Sequence, residues 1–198
     1  MKTLKESLFD SDLASKDIIY HPKTRRELRS IIEKELDIQG SDANLNIIDV
    51  SKVTDMYELF IYLDIENIDI SLWDVSNVTN MSNMFQFSKF NGDISEWDVS
   101  NVTDMSGMFY NTKFNGDISS WNVSNVINMN WMFYKCDKFN SDLSKWNVRK
   151  VEYMSNMFCG CKKFNCDLSK WDVSNVKDMR YMFSGCLSLK KIPDWYKR

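Results

Sequence analysis

Histidine is nearly absent from this chain of 198 residues: His21 is the only one, and it precedes Pro22 ahead of the periodic part. A Ser-His-Asp or Cys-His arrangement needs a histidine beside its nucleophile, so the shortage argues against nucleophilic hydrolysis. Glycine is scarce as well, at six residues, and none belongs to a phosphate-cradling loop. No apolar run approaches the roughly 18 residues that a membrane-spanning helix needs. The first ten residues, Met1 to Asp10, carry lysines but neither an apolar core nor a small-residue cleavage site, so they do not read as a secretory signal. With no lipidation motif near either end, the sequence points to the cytoplasm or to a particle assembled there.

Cysteine is present in an odd number, five, which cannot all pair within one chain. Cys136, Cys161 and Cys186 recur 25 residues apart after a Met-Phe pair, and read as a column of small buried thiols. Cys159, Cys161 and Cys166 lack a fourth ligand at metal spacing, so no metal site is expected. No cofactor is expected either.

What the chain does have is a repeat. The pattern W-[DN]-V-S-N-V-x-[DN]-M-x-x-M-F places tryptophans at Trp73, Trp97, Trp121, Trp146 and Trp171, at intervals of 24, 24, 25 and 25 residues. A short, nearly constant period predicts units that bury their apolar faces by stacking on one another. A divergent first copy, Ile48-Asp-Val-Ser-Lys-Val-Thr-Asp-Met56, puts Ile48 where later copies have Trp. Within a copy, Trp97-Asp98-Val99 alternates in, out, in, as a very short strand would. Met105-Ser-Gly-Met108-Phe109 then switches to helical spacing. A helical or 3-10 turn is expected to start at Asp104 and its equivalents Asp55, Asn80, Asn128, Glu152 and Asp178, residues suited to an N-cap for the most part.

Before the repeats, Thr24-Arg-Arg-Glu27 reads as a capping box, and Leu28, Ile31, Ile32, Glu35 and Leu36 follow at helical spacing up to Gly40. This helix is expected to lie across the open end of the first repeat. The resulting division is an N-terminal arm at 1–22, with a short helix and extended segment over 1–20; a capping helix and entry at 23–46; repeats at 47–186; and a C-terminal cap at 187–198, where Pro193 ends regular pairing.

The repeats, together with the capping-box helix and the entry at 44–56, resemble the leucine-rich-repeat-like surface-protein family of the BspA type over roughly residues 24 to 190. The resemblance implies a curved parallel solenoid with a binding or adhesive role and no family-wide reaction. The fold expected is therefore an α/β repeat. It is a right-handed parallel solenoid similar to leucine-rich repeats, of about six coils, each with one short strand and a helical or 3-10 turn, behind an N-terminal capping helix.

Outward positions of the expected strands form a row of Asp49, Asp74, Asp98, Asn122, Asn147 and Asp172. Carboxylates about 5 Å apart in adjacent coils match the separation in a retaining glycosidase. The position recurs for structural reasons, however, and no chemically distinct second carboxylate breaks it, so the row reads as a solvated acidic ladder. Tryptophan and phenylalanine share the spacing of buried Val and Met, and read as core rather than as a stacking platform for nucleic acid.

Charge is segregated. Residues 47–133 hold three lysines against twelve acids, a net charge of −9, and residues 134–198 hold fourteen basic residues against seven acids, a net charge of +7. Such a dipole steers a partner of complementary charge or favours head-to-tail self-association. The expected function is thus non-enzymatic recognition of a protein partner by a rigid strand face. Its central row is Asp74, Asp98, Asn122, Asn147 and Asp172, flanked by Ser76, Ser100, Ser124, Ser174 and by Arg149, which interrupts the serine column. Glu96, Lys145 and Lys170, just before their tryptophans, track the charge gradient. Assembly of a phage or virus particle and surface adhesion or glycan binding are the alternatives. Neither nucleic-acid binding nor membrane insertion is expected.

Overall fold

The computed structural model describes residues 18–197. The helix and arm expected over 1–20 lie outside the described residues up to residue 17. Ile19 N donates to Ile47 O at 2.8 Å, and Tyr20 forms a parallel bridge with Ile48. The capping helix is present as α1, Arg25–Gln39, of 15 residues. Thr24 is extended (φ −131°, ψ 154°) and its hydroxyl accepts from Glu27 N at 3.3 Å. The Glu27 carboxylate reaches back one residue further than a standard capping box, to Lys23 N at 2.8 Å. Gly40, at φ 89°, closes the helix by donating to Leu36 O. Leu28 and Ile32 bury the expected stripe, and buried Glu35 accepts from the Tyr20 hydroxyl (2.7 Å) and from Gln39 Nε2 (2.7 Å).

The rest of the expected fold is corrected by the structure. Among the described residues α1 is the one helix, and there is no strand and no sheet, so the chain is not an α/β solenoid of coils that each carry a strand and a helical turn. The repeats are built from turns. Met84 N donates to Met81 O, Gln86 N to Asn83 O and Ser88 N to Phe85 O, each closing a tight turn. The amides between them point the other way: Met81, Asn83, Phe85 and Phe87 donate to the carbonyls of Asp104, Ser106, Met108 and Tyr110 in the next repeat, at 2.8–3.0 Å. The reversal comes from left-handed residues, Asn83 at φ 55° and Phe87 at φ 60°, each third in its turn as a type II turn requires. A helix tolerates no such residue, so helical spacing of M-x-x-M-F does not produce helical backbone here.

The same alternation recurs down the chain, with positive φ at Glu58, Asn83, Gly107, Trp131, Asn156 and Tyr181, and again at Tyr62, Phe87, Asn111, Lys135, Gly160 and Gly185. Isolated parallel bridges join consecutive repeats at Asp55, Asn80, Asp104, Asn128, Tyr153 and Asp178. Tyr153, not Glu152, therefore occupies the position of Asp104. Asp104 Oδ1 accepts from Ser106 N two residues on, whereas Tyr153 has no such acceptor; Ser155 N turns instead to Asn130 Oδ1 of the preceding repeat, at 2.7 Å. Trp97-Asp98-Val99 does alternate buried, exposed, buried. Its amides belong to local turns, with Trp97 N on Ile94 O and Val102 N on Val99 O, which is why no strand forms.

The core is columnar. Phe60, Phe85, Phe109, Phe133, Phe158 and Phe183 stack with centroids 5.2–5.9 Å apart, and a second column of Phe90, Phe114, Phe139 and Phe164 leans on it. Each buried tryptophan donates its indole N–H to a carbonyl of the preceding repeat; Trp121 Nε1, for example, reaches Ile94 O at 3.1 Å. Trp195 continues the tryptophan column, stacked on Trp171 at 6.4 Å and donating to Leu168 O, so the tail carries the period past Pro193.

The two ends of this ladder differ chemically. Along the M-x-x-M-F stretch every junction aligns amides of one repeat with carbonyls of the next, so in the first repeat the carbonyls of this stretch face outward. Arg25 Nη1 donates to Tyr57 O at 2.6 Å, and Arg29 Nη1 donates to Leu59 O at 2.6 Å and Ile61 O at 3.4 Å, so α1 replaces the donors of a missing repeat. At the other end the amides of Met179, Tyr181, Phe183 and Gly185 have no acceptor among the described residues.

Candidate interaction surface

All nine residues expected to bind a partner are exposed: Asp74, Glu96, Asp98, Asn122, Lys145, Asn147, Arg149, Lys170 and Asp172. The central row has a second task. Asp74 Oδ1 accepts from Ser76 N (3.1 Å) and Oγ (2.6 Å); Asp98, Asn122, Asn147 and Asp172 accept from the amides of Ser100, Ser124, Arg149 and Ser174. These contacts are Asx turns that shape each corner. The Ser100 hydroxyl and amide hold the Asp98 carboxyl below the usual carboxylate range, and those of Ser174, with Arg149 a lesser influence, do the same for Asp172. Arg149 lies 3.7 Å from Asp172, an exposed pair of small energetic weight. His21 sits 3.2 Å from Asp49, the first member of the acidic row.

A ladder of side-chain amides ties this row together. Asn77, Asn101, Asn125 and Asn175 each donate from Nδ2 to a carbonyl of the preceding repeat, at 2.7–3.0 Å. Lys150 replaces the asparagine in one repeat, and its Nζ donates to Asn125 Oδ1 at 2.7 Å. Lys145 and Lys170 stand apart from the row, in a groove of about 570 Å³ shared with Asp142, Asp167 and Cys166.

The cysteine column is as expected at Cys136 and Cys161, which are buried, while Cys186 is half-buried, and all are free thiols. Their Sγ atoms donate to the Phe109, Phe133 and Phe158 carbonyls. Ser88 and Thr112 fill the same column in earlier repeats. Burial pushes the Cys136 thiol up to about 12 from an ordinary 9.0 and also raises Cys161 and Cys186. Because the folded values are raised, the stabilisation is fully present below pH 9.0 and is lost as pH climbs toward 12. Alkaline denaturation followed by circular dichroism is therefore expected to begin later in a Cys136→Thr/Cys161→Thr variant than in the parent. Coincident curves would mean that the thiols do not set the alkaline limit.

The feature that sequence reasoning missed is a second set of aromatics, on the outside of the turns. Tyr62 is 72% exposed and stacks on Phe87, 40% exposed, at 5.2 Å and 6°. Phe87 meets Tyr110 edge to face at 5.2 Å, and Tyr110 stacks on Tyr134 at 4.7 Å. Trp131 and Tyr181 stand exposed at the neighbouring turn position. Each ladder ring follows a buried Phe of the repeat by one or two residues, where the left-handed turn swings the chain outward. The four rings thus span four consecutive repeats as one continuous apolar strip, held by the backbone ladder beneath it.

A model of the family described as "Mycoplasma protein of unknown function, DUF285" matches residues 35–130 and 86–196, and the chain belongs to that family. The two matches overlap, as expected when a model of repeats is laid twice along a periodic chain. No curated protein and no solved structure matches the chain.

Proposed function

We propose that this repeat protein is a non-enzymatic interaction module that recognises another protein through the outer ladder Tyr62–Phe87–Tyr110–Tyr134, exposed at Tyr62 and Phe87 and half-buried at Tyr110 and Tyr134, a use akin to the binding role of BspA-type surface repeats. The observation that carries the reading is the ladder itself. Isolated exposed apolar residues are ordinary, but contiguous aromatic patches mark binding surfaces. Rings already stacked on one another lose little freedom when a partner covers them, which favours affinity. The Asp74–Asp172 row is the weaker candidate, because its side chains are committed to Asx turns.

Capture from nuclease-treated source-cell lysate tests the proposal. The full chain is expected to retain one dominant protein, and a Tyr62→Ala/Phe87→Ala variant to retain at least tenfold less, with an unchanged melting temperature. Arg149→Ser, on the other row, should retain it fully. If the ladder variant keeps the protein and Arg149→Ser loses it, the binding surface is the Asp74–Asp172 row instead.

A further inference from the structure

The last repeat closes the stack on a row of donors. One repeat earlier, the amides of Met154, Asn156, Phe158 and Gly160 donate to the carbonyls of Asp178, Arg180, Met182 and Ser184 at 2.7–3.0 Å. Their equivalents, the amides of Met179, Tyr181, Phe183 and Gly185, meet no acceptor among the described residues. The carbonyls of this stretch are already engaged: those of Met179, Tyr181 and Phe183 accept from Met182, Ser184 and Cys186 within the turns. The edge therefore offers donors alone. Its apolar side is uncovered as well, since Val173, Val176 and Met179 are part-exposed where Val148, Val151 and Met154 are buried. Trp195 and Tyr196 pack against Phe183, at 6.2 and 5.1 Å, and leave a groove of about 1030 Å³ lined by all four donor residues. Lys177, Arg180 and Lys197 line it too. Glu152 holds Lys177 and Asp178 holds Arg180, while Lys197 meets no acid among the described residues.

We infer that this end of the stack docks an uncapped M-x-x-M-F repeat of another protein, its carbonyl edge turned toward the groove. This is a second surface, at the opposite end of the stack from Tyr62. The site continues the junction that joins each repeat to the next. Such a repeat presents carbonyls at alternate residues, as Asp104, Ser106, Met108 and Tyr110 do toward Met81, Asn83, Phe85 and Phe87 at 2.8–3.0 Å. Its apolar residues extend the columns that Val176 and Met179 leave part-exposed. An unpaired backbone edge is a template for pairing with another chain, and main-chain hydrogen bonds supply the affinity. Four donors strung from Met179 to Gly185 call for a row of acceptors, which a single small anion does not provide. The cations beside them suit the negative ends of carbonyl dipoles. A second copy of this chain does not fit. Two donor edges cannot pair, and at the other end of the stack Arg25 and Arg29 of α1 already hold the Tyr57, Leu59 and Ile61 carbonyls.

Amide exchange followed by NMR tests this on the full chain. The probe is a synthetic peptide with the sequence of residues 103–112, which carries one acceptor row. In the free chain the amides of Met179, Tyr181, Phe183 and Gly185 should exchange fast, while those of Met154, Asn156, Phe158 and Gly160 are protected. The peptide should slow the four fast amides saturably, by about tenfold or more. Gly107 has φ 61°, which proline cannot adopt, so the Gly107→Pro peptide should leave them fast. Tyr62→Ala/Phe87→Ala, a change in the outer ladder, should not alter the protection. Protection lost in that variant would place the peptide on the outer rings and overturn the inference. Equal slowing by both peptides, or the same slowing by inorganic phosphate, would overturn the assignment of a turn-built repeat. No slowing at millimolar peptide would overturn it too. Four amides already protected in the free chain would show that this chain covers its own edge, and would overturn it as well.

Discussion

Trp121→Ala is expected to lower the unfolding free energy by about 3–5 kcal/mol, a cost typical of truncating a buried large aromatic. The indole is 4% exposed, lies against Phe109 at 6.5 Å and donates to Ile94 O at 3.1 Å. Two losses therefore add. The first is the apolar area and the cavity left behind. The second is the partner of a carbonyl at the junction with the preceding repeat. Trp121→Phe separates them, because it retains most of the ring and removes only the N–H; it should cost about 1–3 kcal/mol for the unsatisfied carbonyl. The position matters as much as the residue. In a stack, a mid-chain defect weakens the interfaces on both sides, so the denaturant transition of Trp121→Ala should also broaden or split as cooperativity between the halves falls. Urea unfolding followed at two wavelengths reads both effects. A cost below about 1 kcal/mol would show that the tryptophan column is not what joins the repeats.

The sequence made the period legible because the buried positions are filled by residues that are rare elsewhere: a tryptophan, two methionines and a phenylalanine in each copy after the divergent first. It made α1 legible through Thr24, Glu27 and Gly40, whose capping chemistry is local. The backbone of the repeats was not legible, since M-x-x-M-F satisfies helical spacing and turn spacing equally well. What separates the two is the left-handed residue, and here that residue is Trp131, Tyr181, Lys135 or Phe87 as readily as glycine. A faint signal existed. Asn83, Gly107 and Asn156 share one register, and Asn111, Gly160 and Gly185 share another, which is the residue choice expected where φ is positive. Trp195 went unread because Pro193 and the lysines around it resemble a chain end, although it falls 24 residues after Trp171. For the surface, exposure of the Asp74–Asp172 row could be inferred from alternation, but its commitment to Asx turns could not. The outer aromatics were hidden by a rule that is right for most rings in this chain: rings spaced with Met and Val are buried. Tyr62, Phe87, Tyr110 and Tyr134 escape it because the turn after the buried Phe is left-handed, and that geometry has no fixed residue code.

Arg29→Ala is expected to destabilise the protein by about 2–3 kcal/mol, far more than a half-exposed arginine on a helix ordinarily would. Arg29 makes an i,i+4 pair with Glu33 at 2.7 Å, and such a pair contributes only about 0.2–0.5 kcal/mol. Its larger role is at the end of the ladder, where its Nη1 holds Leu59 O at 2.6 Å and touches Ile61 O at 3.4 Å. Leu59 is buried beneath α1, so truncation leaves its carbonyl with neither a preceding repeat nor ready access to water. A charge-assisted bond to such a group carries about 1.5–3 kcal/mol. Glu33→Ala supplies the control and should cost about 0.5 kcal/mol or less. Arg29→Lys should recover part of the loss, because an ammonium can reach the Leu59 carbonyl but lacks the planar fork that holds Glu33 through Nε while Nη1 holds the carbonyl. The damage should also be local. Amide exchange should accelerate first at Met56, Glu58 and Phe60, whose hydrogen bonds to Asn80, Ser82 and Met84 form the first junction, before the central junctions respond. If Arg29→Ala costs no more than Glu33→Ala, α1 covers the first repeat by apolar packing of Leu28 and Ile32 alone. If the loss is large and confined to that junction, the helix terminates the ladder by supplying the donors that another repeat would otherwise provide.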